Sequence, residues 1–410
     1  MSKKLKKNVP ELRFPNSEGN WKQLTLKEIA SKITDGTHDT PKPVLSGVPF
    51  LTAIHIKDGY IDFENCYYLP EEEHRKIFTR CNPEYGDILM VNIGAGTATV
   101  ARIEVDFEFS LKNVALIKIE QGELSSSFVF QSLSKNSLKL RHQLTSGGAQ
   151  PFFSLKQISK LVVNLPKKEE QEKIARFLGA VDTRLTQLRR KHELLQTYKR
   201  GVMQKIFSQQ IRFKCDDGKP FPDWEKKKLG EIASRQVKKN LDESITRVLT
   251  NSAVQGVVDQ QDYFDKDIAN ADNLAGYYII EKGDYVYNPR ISTSAPVGPI
   301  HKNKIGLGVM SPLYTVFRFK TKEDAFYEQF FKTSVWHKYM CSVANYGARY
   351  DRMNITTSDF MALPLPYPIS EEQEKIVDFL TAIDKKIGAI AKQIDLTEQF
   401  KKGLLQKMFV

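Results

Sequence analysis

Apolar residues recur along this chain with two different periods, and the change of period divides it. Val181, Leu185, Leu188, His192, Leu195, Lys199, Val202 and Ile206 step by four and three. Ile383, Ile387, Ile390, Ile394, Thr397, Lys401, Leu404 and Met408 do the same. A mostly apolar seam held at that spacing predicts long helices of coiled-coil type. Each run is preceded by short strand-like stretches: "GDILMVNI" and "VALIKI" in one segment, "GDYVYNPR" and "LYTVFRF" in the other. Each segment then has an aromatic stretch that predicts a helix, "FVFQSLSKNSLKLRHQL" or "FYEQFFKTSVWHKYM". A Gly-Ala turn follows, "GGAQ" (147–150) or "YGAR" (346–349), and a last strand-like piece ends at Pro166 or Pro368. Ser370 is a candidate N-cap, and the acidic residues after it suit the positive end of a helix dipole.

The two halves repeat. Displaced by 371 − 169 = 202 residues, "PKKEEQEKIARFLGAVDTRL" lies over "PISEEQEKIVDFLTAIDKKI" without a gap, and the match runs on to "YKRGVMQKIF" over "FKKGLLQKMF". Residues 166–207 and 368–409 are therefore two copies of one unit. "WKQLTLKEIAS" from Trp21 also resembles "WEKKKLGEIAS" from Trp224, each after a Phe-Pro pair (Phe14-Pro15 and Phe221-Pro222). A duplication of long period has to be recognised before a fold is assigned. The expected divisions are a basic tail 1–20, read as frayed, a globular segment 21–165, a helical spacer 166–210, a second globular segment 211–367 and a second spacer 368–410. Both globular segments read as mixed α/β. Each helix would be a rod of ~60 Å at ~1.5 Å per residue. The frame is duplicated, whereas the contents of the globular segments share little.

The formal charge of +12 points to an anionic partner, most often nucleic acid. Cys66, Cys81, Cys215 and Cys341 form no C-x-x-C pair, which fits a reducing cytoplasm better than a zinc ribbon or disulfide framework. The start, "MSKKLKKNVP", lacks the apolar stretch of a secretory signal. Candidate chemistry fails on inspection. Gly94-x-Gly96 is followed by β-branched residues, not by the helix a nucleotide fingerprint requires, so it reads as a tight turn within a sheet. Asp223, Glu225 and Lys227 have the letters of a nuclease motif, but the matching stretch at Trp21 lacks both carboxylates. "NPR" (288–290) lacks the second proline and the aromatic of an amino-methyltransferase loop. His38 between Asp35 and Asp39 reads as a loop turn rather than a metal cluster. No catalytic, cofactor-binding or metal residue is assigned.

What remains is polar and basic loops of the kind that meet DNA bases and phosphates. The candidates are Thr37, His38, Asn92, Thr97, Thr99, Lys112, Asn113 and Gln150 in the first segment. In the second they are Arg247, Asn251, Asn288, Arg290, Ser292, Thr293, Arg349, Tyr350 and Arg352.

On "EEQEKIARFL" and "EEQEKIVDFL", the two "QKIF/QKMF" ends, and the paired Phe-Pro…Trp…Leu…Glu-Ile entries, the chain resembles the specificity subunits of type I restriction–modification systems. The likeness covers nearly its whole length. It implies two target-recognition domains joined by two long helices that pack as an antiparallel coiled coil with pseudo-two-fold symmetry. It also implies double-stranded DNA as a partner, a bipartite asymmetric site, and two modification subunits docked on the helices. Those subunits would carry S-adenosylmethionine, and motor-nuclease subunits would use ATP and Mg, leaving this chain without a cofactor. A self-sufficient methyltransferase and a coiled-coil scaffold without a nucleic-acid role are the alternatives. Cofactor binding by the isolated chain would favour the first, and failure to bind DNA the second.

Overall fold

The computed structural model of the chain describes residues 8–94, 96–120, 122–145, 151–263, 274–321, 324–345 and 351–410; the side chains of residues 138, 142, 144 and 145 also lie outside the description. Two compact units result, Met1–Arg190 with Ala391–Val410, and Lys191–Ile390. The cut falls within both long helices, so each unit holds the beginning of one and the end of the other.

In unit one, β1 (Lys22–Thr25) leads into a four-residue helical turn capped by Thr25 and Glu28. Four further strands, β2 (Ala30–Asp35), β3 (Ile88–Val91), β4 (Val100–Arg102) and β5 (Val114–Ile119), form an antiparallel sheet in the order β2-β5-β3-β4. Helix α1 (Ser126–Thr145) follows, and β6 (Val162–Leu165) returns to pair with β1, Lys22 opposite Leu165. The chain then enters α2 (Lys168–Phe207). Unit two repeats the plan. β7 (Glu225–Lys228) pairs with β12 (Pro364–Tyr367), and β8 (Ala233–Arg235), β9 (Tyr285–Tyr287), β10 (Ile300–Lys302) and β11 (Thr315–Phe319) form a sheet in the order β8-β11-β9-β10. Helix α3 (Ala325–Phe330) and the second long helix α4 (Ser370–Met408) complete it. The globular contents share little sequence, yet the sheet order is the same. The insertions differ: unit one has a three-stranded sheet (67–69, 48–51, 110–111) and a helix Glu71–Cys81, whereas unit two has a hairpin (249–252, 256–259) and a separate strand pair (278–280, 308–310).

The central strands are mostly apolar because both sheet faces are covered; the charged exceptions, Lys118 of β5 and Arg318 of β11, pair with Asp87 and Asp284. Alternate side chains of a strand point to opposite faces. Ile88 and Met90 of β3 join Trp21 and Phe128 in one core, while Leu89 and Val91 join Leu51 and Phe109 in another. In unit two, Tyr285 and Tyr287 of β9 divide from Val286 in the same way. The end of the opposite long helix closes each main core. Phe409 meets Trp21 and Phe128 at 6.1 and 5.1 Å between ring centres, and Phe207 meets Phe326 and Phe330 at 5.3 and 5.5 Å.

The expected helix over 326–340 is instead two short helices, Ala325–Phe330 and His337–Val343. Thr333 turns its hydroxyl back to the Phe330 carbonyl at 2.7 Å, and Trp336 Nε1 donates to the Phe331 carbonyl at 3.3 Å. These local bonds compete with the helical ladder and break it.

Within each unit the long helices pack antiparallel. Lys401 and Arg189 meet Asp182 and Glu398 in unit one at 2.6 and 2.7 Å. Lys199 meets Asp384 in unit two at 2.6 Å. The seam lysines are thus exchanged between the helices at equivalent repeat positions, which marks one register over its neighbours. Along the seam, Leu185, Leu188, Ile206, Ile383, Ile390, Leu404 and Met408 are buried, and Val181, Leu195, Val202, Ile387 and Ile394 are half-buried.

The repeated hexapeptide has a structural task. Glu170 and Glu372 are 5% and 0% exposed. Arg13 forks onto Glu170 through Nε and Nη2, both at 2.7 Å. Arg212 forks onto Glu372 at 3.2 and 2.8 Å, and Trp224 Nε1 adds a third bond at 2.8 Å. Charge reversal at these glutamates would therefore report on folding, not on docking. Phe14 and Phe213, the residues after the two arginines, stand edge-on to Phe177 and Phe379. The geometric repeat thus aligns Arg13-Phe14 with Arg212-Phe213 as well as Trp21 with Trp224. Residues from Asn8 onward, part of the stretch read as a basic tail, are built into unit one: Asn8 Nδ2 donates to the Trp21 carbonyl, and the Leu12 amide to that of Lys407. No helix among the described residues is long and apolar enough to cross a membrane.

Candidate nucleic-acid interface

Strand register gathers most of the candidate residues at one end of each sheet. In unit one Ala115 lies opposite Asp35, Val114 opposite Val91, and Met90 opposite Val100. The exit of β2, the entry of β5 and the β3–β4 turn therefore share an edge. That edge carries Thr37, His38, Asn92, Thr97, Thr99, Lys112 and Asn113. The approach is close. A side chain on Gly36 would lie 2.1 Å from the Leu111 carbonyl oxygen, so only glycine lets these two loops meet.

His38 is the centre of the exposed part. Its Nδ1 lies 2.8 Å from Asn113 Oδ1 and its Nε2 3.3 Å from Asp35 Oδ2. Asp35 is also held by Arg80 at 2.9 Å, and Lys112 reaches the Thr40 hydroxyl. Thr37 is buried and fixes the loop: its hydroxyl accepts from the Asp39 amide at 3.1 Å. Among the described residues no three metal-ligating side chains converge. Gly94 and residues 96–98 lie between β3 and β4, with the Ala98 amide on the Val91 carbonyl at 2.7 Å. Thr97 and, just before β4, Thr99 are buried, Thr97 bonding the Gly94 carbonyl at 2.6 Å and Thr99 accepting from Arg141 at 3.4 Å. Asn92 is buried too, and its Oδ1 has no hydrogen-bond partner among the described residues. Its neighbour Ile93 bridges to Phe152, an exposed aromatic side chain on the rim.

The same edge of unit two carries the β9–β10 connection. Asn288 and Asn251 are buried and tie it down. Asn251 Nδ2 donates to the Val286 and Pro299 carbonyls at 2.7 and 3.2 Å, and Asn288 Nδ2 to the Asn251 carbonyl at 2.9 Å. A side chain on Gly298 would lie 2.0 Å from the Asn288 carbonyl oxygen, and its φ of +78° also favours glycine. Ser292 and Ala295 exchange backbone bonds to form an exposed tip with Thr293. Arg290 is exposed and bridges by its backbone to Arg352. Arg352 in turn holds the Asp351 carboxyl below its ordinary value. Arg247 sits elsewhere, beyond the far end of β10, on Asp259 at 2.9 Å and the Ile305 carbonyl at 3.3 Å. Gln150, Arg349 and Tyr350 lie outside the described residues.

The candidates thus sort into a buried frame (Thr37, Asn92, Thr97, Thr99, Asn251, Asn288) and a solvent-facing rim (His38, Lys112, Asn113, Arg290, Ser292, Thr293, Arg352). Sequence reasoning missed Arg80, Arg141 and Phe152 beside the first rim. Arg80 and Arg141 come from helices remote in sequence, and no local pattern marks them.

Behind the second rim, His301 bonds Asn251 Oδ1 through Nδ1 at 2.8 Å. Because the Asn251 amide nitrogen serves two carbonyls, the oxygen faces His301, and Nδ1 is the donor of a ring that can stay neutral. Burial, and then the charge of Lys332, hold its imidazole below the ordinary value; Lys304 acts in the same direction and Glu328 opposes. The folded state therefore binds fewer protons than the unfolded state below pH ~6.5, and stability falls as pH drops through that value toward the depressed one. His301→Gln is expected to melt lower than the parent at pH 7.5, with the difference narrowing at pH 5.5. Melting both proteins across that range checks it.

A family model described as the type I restriction modification DNA specificity domain matches the chain twice, at residues 18–196 and 222–398. The chain belongs to this family. Each match takes in one globular segment and much of the long helix after it. The type I restriction enzyme MjaVIII specificity subunit of Methanocaldococcus jannaschii is 24% identical over 85% of this chain and 85% of its own length. Another protein of that organism, assigned as the MjaX specificity subunit, is 24% identical over 94% of this chain and 92% of its own. Among solved structures, a type I restriction–modification S subunit from M. genitalium matches with a TM-score of 0.56 at 16% identity, over 98% of this chain and 99% of that one. A chain from a structure concerned with complex assembly and conformational transition of the type I R-M system gives 0.53 at 16% identity, over 97% and 99%. At such identities the structural likeness establishes the fold, two mixed α/β domains with long helices packed together. The specificity subunit therefore repeats both its helices and the scaffold of its two globular domains.

Proposed function

We propose that this specificity subunit reads a bipartite, asymmetric DNA site, one half with each globular domain, and directs adenine methylation or restriction performed by partner subunits. The observation that carries the reading is the double match of one DNA-specificity model, once per globular segment. The duplicated sheet edges give each domain a rim of polar and basic side chains, and the two rims differ in composition. His38, Lys112 and Asn113 line one; Arg290, Ser292, Thr293 and Arg352 line the other. Arginine and asparagine are side chains that discriminate base edges in the major groove, and lysine and hydroxyl groups bind phosphate. Unlike rims on like scaffolds suit two different half-sites.

On this reading the chain performs no chemistry. Two modification subunits supply S-adenosylmethionine and flip the target adenine, and restriction subunits supply ATP-driven translocation and cleavage. The isolated chain is expected to bind DNA with an affinity that falls steeply with salt and to give no heat with S-adenosylmethionine in isothermal titration. Tight cofactor binding by this chain alone would favour a self-sufficient methyltransferase instead, and salt-insensitive or absent DNA binding would favour a scaffold.

A further inference from the structure

Each unit has a cleft where its globular domain meets the long helices. In unit one it holds about 680 Å³ between α1 and the paired helices. In unit two it holds about 670 Å³ between the β9–β10 connection, the residues after α3 and the paired helices. The helical walls are related by the repeat. Lys401, Lys402 and Gln406 line the first, and Lys199, Arg200 and Gln204, each 202 positions earlier, line the second. The globular walls differ: Lys135, Lys139 and Arg141 stand in one, His301, Lys332 and His337 in the other.

Both clefts keep positive charge after their ion pairs are counted. In the first, Asp182, Glu398 and Asp58 are taken by Lys401, Arg189 and Arg141 at 2.6, 2.7 and 2.7 Å, and Asp395 accepts from Gln399 at 2.9 Å. Lys139 and Lys402 are exposed and meet no carboxylate among the described residues. In the second, Asp384 is taken by Lys199 at 2.6 Å. Arg200 is exposed, bonds the Thr197 hydroxyl of its own helix at 3.1 Å and meets no carboxylate among the described residues. One lysine in each cleft is crowded. Burial, then Lys139, hold the Lys135 ammonium below its ordinary value. Burial does the same to Lys332, with Lys199 and Lys304 adding to the shift and Glu328 and Asp384 opposing it. Crowded cations gain from a bound anion.

Each cleft begins where a rim ends. Ser294 and Ala295 of the exposed β9–β10 tip form part of the second cleft. Arg141 of the first reaches the Thr99 hydroxyl beside β4 at 3.4 Å, and Ser137 of the same helix bonds the Ala98 carbonyl at 2.7 Å. A duplex carries one phosphate charge per ~1.7 Å of its axis, so a strand lying along the rim presents phosphates to the cleft mouth. Phosphate contacts position DNA and carry no sequence information. Side chains kept alike in both units, beside rims that differ, suit that task rather than base reading. We propose that each cleft holds the phosphodiester backbone beside its half-site, with Arg200 and Gln204 in unit two, and Lys402 and Gln406 in unit one, as the repeated contacts. The long helices then bind DNA themselves, through residues outside the rims. This rests on the DNA-binding reading above.

The test measures binding of the full chain to two duplexes by fluorescence anisotropy over a range of salt. One duplex carries the site methylated by the intact system, and the other has its letters scrambled. Arg200→Gln and Lys402→Gln are each expected to weaken both duplexes by the same factor. Each should lower the slope of log K against log salt by about 0.9, and the two together by about 1.8. Preference for the site should be kept. Arg200→Lys, which retains the charge, is expected to retain the slope. Lys386→Gln removes the same charge two positions from Asp384, on the side of the helix away from the cleft, and should leave the slope unchanged. Arg200 and Lys402 are exposed, so the variants should melt with the parent, which separates a lost contact from misfolding. An unchanged slope in both variants, or an equal fall with Lys386→Gln, would overturn the proposal and leave the DNA-binding reading intact. Loss of site preference would overturn it too, by making these side chains base readers. Heat on titration with inorganic phosphate that the substitutions remove, with the DNA slope unchanged, would overturn it in favour of a free anion as occupant. Failure of the unaltered chain to bind either duplex would overturn both the proposal and the DNA-binding reading.

Discussion

Glu372→Ala is expected to be among the most damaging single substitutions in the chain, lowering the stability of unit two by about 3–5 kcal/mol. The carboxylate is fully buried and accepts from Arg212 Nε, Arg212 Nη2 and Trp224 Nε1. Removing it leaves a buried indole N–H without its acceptor and takes from Arg212 its buried counter-charge. The guanidinium is left the Pro222 carbonyl at 2.6 Å and the exposed Asp223 carboxylate at 3.3 Å. Breaking a buried pair by removing one partner is far more costly than weakening it. A loss of this size is a large part of the about 5–15 kcal/mol that holds a typical domain folded. The repeat supplies an internal control. Glu170→Ala removes only the Arg13 fork, because the Trp21 Nε1 has no hydrogen-bond partner among the described residues. It should therefore cost less than Glu372→Ala. Urea unfolding of both variants, compared at constant slope, checks the order. Equal losses would show that the indole bond contributes nothing.

Lengthening both helices is expected to change the gap of the recognised site without changing its letters. One heptad inserted after Leu188 and one after Ile390 preserve the seam period. Both fall beside the boundary between the units, at Arg190/Lys191 and Ile390/Ala391, away from the cores that hold the helix ends. Seven residues add ~10 Å at ~1.5 Å per residue, or about three base pairs at ~3.4 Å each. Sequencing the methylated sites of cells carrying the altered system reads the gap directly. Unchanged spacing with altered half-site letters would show that the helices are not the ruler.

The parts of this molecule legible in its sequence are those written in local pattern. The seam from Val181 and that from Ile383 announce themselves through spacing, and the hexapeptide announces the duplication. "VALIKI" becomes β5 over the same six residues because a strand covered on both faces reads as an apolar run, here the four buried residues Val114 to Ile117. The shared sheet order was not legible. Strands of three to six residues can keep their pairing while every side chain changes, so 100–102 and 300–302 share no residue although they occupy equivalent edges. The pairing of Arg13 with Arg212 was hidden for a related reason: the Phe-Pro pairs drew the alignment to a different place. At the rims, residue type alone could not separate Arg290, which faces solvent, from Asn288, two positions earlier and bound to the Asn251 carbonyl. That distinction depends on a hairpin 37 residues away in sequence, which no local pattern encodes.

Each globular domain is expected to read its own half-site. Exchange of residues 21–165 for the corresponding segment of another specificity subunit, followed by methylome sequencing of cells carrying the complete system, tests it most directly. One half-site is expected to change while the other half-site and the gap are kept. A site altered in both halves, or in neither, would contradict it.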